Sequence, residues 1–441
     1  MDTFQTLAAF LGSHADDVVR DLQQLIAIPS VSGTTAEVEI QHHLARRLAA
    51  EGLEVDHWEL DLAALAAQPQ YPGAEVERTE AWGVVGKLTG TGGGRSLLLD
   101  CHADVVPAGD PATWAPHTPF AGERDTAHVY GRGAADMKSG LVASLWAVKA
   151  LRACATPLRG DLLLATVTGE EDGGLGTFGL LERGWRADAC VIPEPTQLDI
   201  APGVSGALTF RLTVRGAAAH ASRRLEGVSA IEKFLPVFAA IRQLEASRNA
   251  TAHPLARRWQ LPVPIELGQV HAGEWASSVP DTLTADGRIG VAVGETMEHT
   301  KRALEEAMAA LATTDPWFRD HPVEVTWWGG QFAASLTSPD HPLVAAMSAA
   351  HTRAAAQYRT AFPDDAARAP ERDYSLKAVP DQWVTTYGSD LRLTHELAGI
   401  PTIHYGPGDV GLAHGPHERV PIVEVLVAAH ALALLAADWC G

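Results

Sequence analysis

The 441-residue chain predicts an α/β fold: a mostly parallel-sheet domain with a ferredoxin-like α+β domain inserted in it. Three observations carry that reading. Short apolar strands alternate with helical stretches through the first half, a strand–helix–strand–strand–helix–strand run occupies the middle, and the first texture returns near the C-terminus. The expected boundaries are 1–204 and 330–441 for the two parts of the first domain and 205–329 for the insert.

In chain order, "MDTFQTLAAFLGSHADDVVRDLQQL" reads as one amphipathic helix rather than a signal peptide, because no basic start precedes an apolar stretch; a cytoplasmic site is the default expectation. "SLLLDCHADVV" (96–106), "DLLLATVTG" (161–169) and "ADACVIPE" (187–194) are short apolar strands, and "GLVASLWAVKALRA" (140–153) is a helix between them. The glycines at 90–94 mark a turn. The insert begins with the alternating "ALTFRLTVRGAAAHA", followed by the helix "GVSAIEKFLPVFAAIRQLEA". The strands "IELGQVHAGEW" and "TLTADGRIGVAV", the helix "TMEHTKRALEEAMAAL" and the strand "PVEVTWW" complete it. The helix "HPLVAAMSAAHTRAAAQY", a polar loop near 362–382 and the strand "IPTIHYGPG" follow. The apolar tract Ile422 to Leu435 is interrupted by Glu424 and His430; it is short for a bilayer span and reads as a closing core helix.

Asp plus Glu outnumber Lys plus Arg by 54 to 34, a formal charge of -20, and no basic cluster marks a nucleic-acid footprint, so neither nucleic acid nor membrane is an expected partner. Cys101, Cys154, Cys190 and Cys440 are far apart and show no C-x-x-C pair, which argues against a disulfide framework or a thiolate zinc site. "LTGTGGGRS" lacks the full dinucleotide-binding glycine spacing, and Ser205 in "GVSGA" does not complete a nucleophile elbow.

In an α/β sheet, functional groups collect beyond the carboxyl ends of the strands. "LLLATVTGEEDGGLG" leaves an apolar strand with Glu170, Glu171 and Asp172 in succession, and like charges in a cleft call for a cation. His102 and Asp104 in "LLLDCHADVVP", Asp136 in "GRGAADMKSG" and Glu194 in "VIPEPT" end other apolar runs, and His414 in "GLAHGPHERVPI" lies in a Gly-rich loop. Each alone is more often a structural residue than a ligand. Together, oxygen and nitrogen donors converging on one crevice suit two divalent ions, with one glutamate of the pair a ligand and the other holding a proton.

"LLLDCHADVVPAGD", "GRGAADMKSG", "TGEEDGG", "PEPT", "RGAAAHAS", "GIPTIHYGPG" and "AHGPHERVPI" resemble, in order and spacing, the acetylornithine deacetylase, succinyl-diaminopimelate desuccinylase and carboxypeptidase G family of dinuclear zinc amidohydrolases. The resemblance runs from about residue 20 to the C-terminus. It implies that His102 ligates one ion, Asp104 orients it, Asp136 bridges both ions and precedes a cis peptide, Glu194 completes the His102 ion, and Glu171 with His414 holds the other. Glu170 matches the general base. The insert matches a lid and dimerisation domain, so a homodimer is implied; His220 in "AAAHAS" matches an oxyanion-stabilising His that reaches the partner's site, and Arg288 in "DGRIGV" an arginine for a substrate carboxylate.

The ions implied are zinc, with cobalt or manganese acceptable to the same ligand types. The implied reaction is hydrolysis of the amide bond of a small N-acyl amino acid, in the manner of acetylornithine deacetylase. A dipeptidase or carboxypeptidase acting on short peptides and a formamide hydrolase acting on a pyrimidine are alternatives within the family. A non-catalytic binding relative is the alternative outside it, set against by the presence of every ligand and the base. Four positions depart from the pattern or lie beside it. Cys101 replaces a frequent glycine and reads as a packing thiol, Ser277 replaces a frequent Asn, and His417 and Glu418 read as turn and helix-start residues.

Overall fold

The structure is a computed structural model that describes residues 3–361 and 376–441. It divides into two compact units: Met1–Gly203 with Thr337–Trp383 and Leu393–Gly441, and Val204–Leu336 with Val384–Arg392.

The first unit is α/β. Its sheet runs Glu54–Glu59, Trp82–Leu88, Leu162–Val167, Leu97–His102, Cys190–Ile192, Thr402–His404 and Ile200–Val204. The four middle strands, from Leu162–Val167 to Thr402–His404, are parallel, and the strands to either side of them are antiparallel. Leu97–His102 and Leu162–Val167 are buried along their whole length, which is why they read as continuous apolar runs rather than alternating ones. Thr337–Trp383 enters this unit with the helix Pro342–Ala361; most of the polar loop expected at 362–382 lies outside the described residues.

Two expectations change here. The N-terminal segment forms two helices, Thr3–Ser13 and Ala15–Ile26, because His14 leaves helical geometry at φ -115 and ψ 17 and its ring bonds back to the Phe10 carbonyl at 2.8 Å. The C-terminal helix extends to Cys440; its 19 residues, with a mean hydropathy of 1.8 over the most apolar stretch, are long and apolar enough to cross a membrane. It is nonetheless the core helix expected, buried against Lys138–Ala153, Pro342–Ala361 and Thr3–Ser13.

The second unit has a four-stranded antiparallel sheet in the order Ile265–Ala272, Thr282–Val291, Gly206–Arg215, Glu324–Phe332, the ferredoxin-like arrangement. Leu208, Phe210, Leu212 and Val214 alternate toward a core that includes Val237 and Ile241 of helix Ala230–Asn249 and Leu304 and Met308 of helix Met297–Ala310. The last strand passes residue 329 to end at Phe332, with a register shift between Trp327 and Gln331.

Candidate metal centre

The site in the first unit is built at the carboxyl ends of its parallel strands. His102 ends Leu97–His102 and is in register with Val167, so the two chains leave the sheet side by side. Asp104 therefore meets the Glu170–Glu171 turn: its carboxylate oxygens accept from the backbone N–H of Glu170 and of Glu171, both at 3.3 Å, and from the Ser32 hydroxyl at 2.9 Å. Glu194 follows the neighbouring strand Cys190–Ile192. Helix Lys138–Ala153 can approach that strand end because its Gly140 leaves no room for a β-carbon, which would lie 1.9 Å from the Pro193 carbonyl oxygen. Asp136 lies two residues before the same helix and its bond to Met137 is cis.

Six side chains implicated by the sequence converge. His102 Nε2 lies 3.1 Å from Asp136 Oδ1 and 3.8 Å from Glu194 Oε1, while His414 Nε2 lies 3.0 Å from Glu171 Oε2 and 3.5 Å from Asp136 Oδ2. Asp136 thus faces one imidazole with each oxygen. Donor atoms of His102, Glu170 and Glu194, and of His102, Asp136 and Glu171, each fall within 4.8 Å of one another. Glu170 stands as close to His102 and Glu194 as a ligand would. His414 is held with φ 61, an uncommon backbone for a non-glycine residue, which the surrounding structure must impose.

The tautomer of His102 is set by its other nitrogen. Nδ1 is 3.0 Å from the Asp104 backbone carbonyl and 3.8 Å from the carboxylate, so it donates to the carbonyl and leaves Nε2 for the centre. Asp104 orients His102 through its main chain, and its carboxylate holds the glutamate turn.

The electrostatics favour a cation. Burial opposes charge on His102 and His414, yet the carboxylates around them, Asp136 foremost, raise both imidazoles above their ordinary range. Burial and then the charge of Asp136 push Glu194 and Glu171 upward. Asp136 is driven downward despite burial by its bonds to His102 and His414. Carboxylates so crowded, facing imidazole nitrogens, have the hard and borderline donors that bind divalent first-row ions. Asp172 is not part of the cluster. It pairs with the buried Arg78 at 2.8 Å, which disposes of the third charge in the acidic run.

His220 and Arg288 belong to the second unit. His220 is exposed on the short strand Ala219–His220, and its Nδ1 lies 2.7 Å from the Ser222 hydroxyl. Arg288 is exposed on Thr282–Val291 and donates to the Thr386 carbonyl at 3.4 Å.

Other residues read differently in three dimensions. Glu418, expected as a turn residue, is 1% exposed; it accepts from the backbone N–H of Ala135 and Asp136 at 3.1 and 3.2 Å and pairs with Arg132 at 2.5 Å. It grips the peptide that carries Asp136, and its partners there and at Arg132, 286 positions away, are too distant in the sequence to mark it as buried. His404, at the end of Thr402–His404, carries no motif signal in the sequence; burial drops it to about 3, so it is a neutral imidazole in the field of Asp136. Cys101 is a packing thiol, buried 3.6 Å from the Ser144 hydroxyl. Ser277 offers its carbonyl to Ala221 N–H at 2.9 Å.

The model of peptidase family M20/M25/M40 matches residues 98–438. The chain belongs to that family. As a member it is a hydrolase of amide bonds, in agreement with the resemblance to the deacetylase, desuccinylase and carboxypeptidase group. It is 26% identical over 459 residues, covering 97% of this chain and 96% of the relative, to N-formyl-4-amino-5-aminomethyl-2-methylpyrimidine deformylase of Bacillus subtilis. It is 31% identical over 330 residues to succinyl-diaminopimelate desuccinylase of Leptothrix cholodnii, covering 72% of this chain and 78% of the relative. A dinuclear metal-binding M20 peptidase of Bacillus subtilis shares the fold with a TM-score of 0.61 at 17% identity, covering 97% of this chain and 99% of the other.

Proposed function

We propose that this M20 enzyme hydrolyses the amide bond of a small N-acyl amine, with Glu170 as the general base. The observation that carries the reading is the convergence of His102, Asp136, Glu171, Glu194 and His414 around Glu170 in one partly buried cleft. His102, Asp136 and Glu194 would hold one ion and Asp136, Glu171 and His414 the other. When bound, two divalent ions would supply an acidified water and a polarised carbonyl; zinc suits the donor set, and cobalt or manganese would be accepted.

Glu170 would take the proton of that water and return it to the leaving amine. Its turn is held by Asp104, whose carbonyl also fixes the His102 tautomer. His220 would stabilise the oxyanion and Arg288 would engage a substrate carboxylate.

Two substrate readings have specific support. The motif run "GSDLRLTHELAGIPTIHYGPG" favours an N-acyl amino acid, as in the acetylornithine deacetylase branch. The likeness to the pyrimidine deformylase, which spans nearly the whole chain where that to the desuccinylase spans 72%, favours an N-formyl aminopyrimidine. The readings differ chemically at Arg288, since the formamide has no carboxylate for a guanidinium to fork. A dipeptidase would need the carboxylate as well.

A homodimer through the second unit, with His220 serving the partner's site, is part of the proposal. Ile231, Leu235 and Phe238 are exposed at helical spacing on Ala230–Asn249, an apolar face that a second copy would cover. Four unbridged cysteines, three of them buried, suit a cytoplasmic setting.

The test is a panel of N-acetyl, N-formyl and N-succinyl amino acids, dipeptides and the N-formyl aminopyrimidine, assayed with zinc, cobalt and manganese in wild type and Arg288→Ala. Hydrolysis of the formamide alone, insensitive to Arg288→Ala, would reject the amino-acid reading. Hydrolysis of carboxylate-bearing substrates alone, lost in Arg288→Ala, would reject the pyrimidine one. No turnover with any metal would reject both.

A further inference from the structure

The turn that carries Glu170 and Glu171 is loose by composition. Gly169, Gly173 and Gly174 all have positive φ, at 67, 155 and 90, and glycine has the most backbone freedom to lose. A base and a ligand on such a turn need an external brace, because productive geometry tolerates only a few tenths of an ångström.

Arg78 supplies the geometry of one. Its Nε and Nη2 donate to Glu37 Oε2 and Oε1 at 2.9 and 3.0 Å, and its Nη1 and Nη2 donate to Asp172 Oδ2 and Oδ1, both at 2.8 Å. One guanidinium thus forks two carboxylates, and the three side chains are between 3 and 6% exposed. Each carboxylate holds a different flank of the turn. Glu37, in the first turn of helix Thr35–Ala50, accepts from Gly169 N–H at 3.0 Å, from the Thr168 hydroxyl and from Gly33 N–H at 2.7 Å. Asp172 is itself the far flank, and it accepts from the N–H groups of Glu75 and Val76 at 3.1 and 3.2 Å.

We propose that Arg78 is a positioning residue for the hydrolysis: through Glu37 on one side and Asp172 on the other it clamps the Glu170–Glu171 turn and fixes where the base and the ligand point. The proposal rests on Glu170 being the base. A lysine cannot reproduce it, since a single ammonium cannot present four donors in one plane to two carboxylates.

The experiment uses the full chain loaded with zinc and compares Arg78→Lys, Asp172→Asn and Glu170→Gln with wild type. It measures metal stoichiometry, kcat and KM on the best substrate of the panel, and amide hydrogen exchange across 168–176. Arg78→Lys keeps a cation and Asp172→Asn keeps an acceptor for Glu75 and Val76, so both are chosen to fold. Each should retain its metal and lower kcat about tenfold or more with KM within about twofold, and exchange should quicken in 168–176 relative to the rest of the chain.

A merely structural ion pair would instead lower stability and leave kcat per folded, metal-loaded molecule unchanged. That result, or unchanged exchange in 168–176, or a loss that follows metal content alone, would overturn the proposal. Full turnover in Glu170→Gln would overturn the base assignment alone, and the exchange measurement would still decide the brace.

Discussion

Replacing Glu424 with Gln should remove a pH-dependent cost to folding. Glu424 is 4% exposed in the first turn of the closing helix, and its Oε2 accepts from Gly408 N–H at 2.8 Å. Burial, helped by the charges of Asp409 and Asp199 and opposed by the Gly408 bond, pushes its carboxyl from 4.5 to about 7. The folded state therefore keeps a proton that the unfolded chain releases. Stability from this group is complete below about pH 4.5, falls as pH rises, and is lost above about pH 7. The step from 4.5 to about 7, at about 1.36 kcal/mol for each pH unit, corresponds to about 3 kcal/mol.

Gln is isosteric, keeps an acceptor for Gly408 and never ionises. Urea denaturation of both proteins, metal-free, at intervals from pH 4.5 to 8 should show the variant gaining on wild type by about 3 kcal/mol between pH 4.5 and 7, then a constant difference. A difference that stays flat across that window would refute the reasoning. Gly408 opens the loop that leads to His414, so the same bond also ties the core helix to that loop.

Glu170→Gln should keep both ions and lower kcat by about two to four orders of magnitude; metal analysis beside steady-state kinetics checks it, and retained turnover removes Glu170 from the base role. Asp136→Ala should lose both ions, since its two oxygens face His102 and His414, and chelators should abolish wild-type activity; activity in excess chelator would end the metal mechanism. Gly140→Ala should drive Pro193 and Glu194 out of place and weaken metal binding, because the new methyl would sit 1.9 Å from a backbone oxygen; unchanged affinity in a metal titration would contradict it. If His220 acts across a dimer, mixing inactive His220→Ala and Glu170→Ala subunits should restore about one competent site per hybrid; no recovery would mean that each chain completes its own site.

Much of the centre was legible because its chemistry is local in sequence. His102 ends one buried apolar strand, Glu170 and Glu194 follow two others within three residues, and a parallel sheet gathers such ends on one edge. The alternation of Leu208, Phe210, Leu212 and Val214 announced a half-buried antiparallel sheet in the same way. Strand and helix periods are short-range properties, and a single chain displays them without help from its fold.

What the sequence by itself determined, then, is the order of elements and the residue types waiting at their ends. Only the tertiary structure decided which charges meet. Glu418 looked like a surface turn and lies beneath Asp136, because Arg132 compensates it from the far end of the chain. Asp172 looked like a third member of the acidic cluster and instead turns away to Arg78, which it shares with Glu37, 41 positions before the arginine. The energy of a buried charge depends on what stands within a few ångströms of it, and that distance bears no relation to separation along the polypeptide.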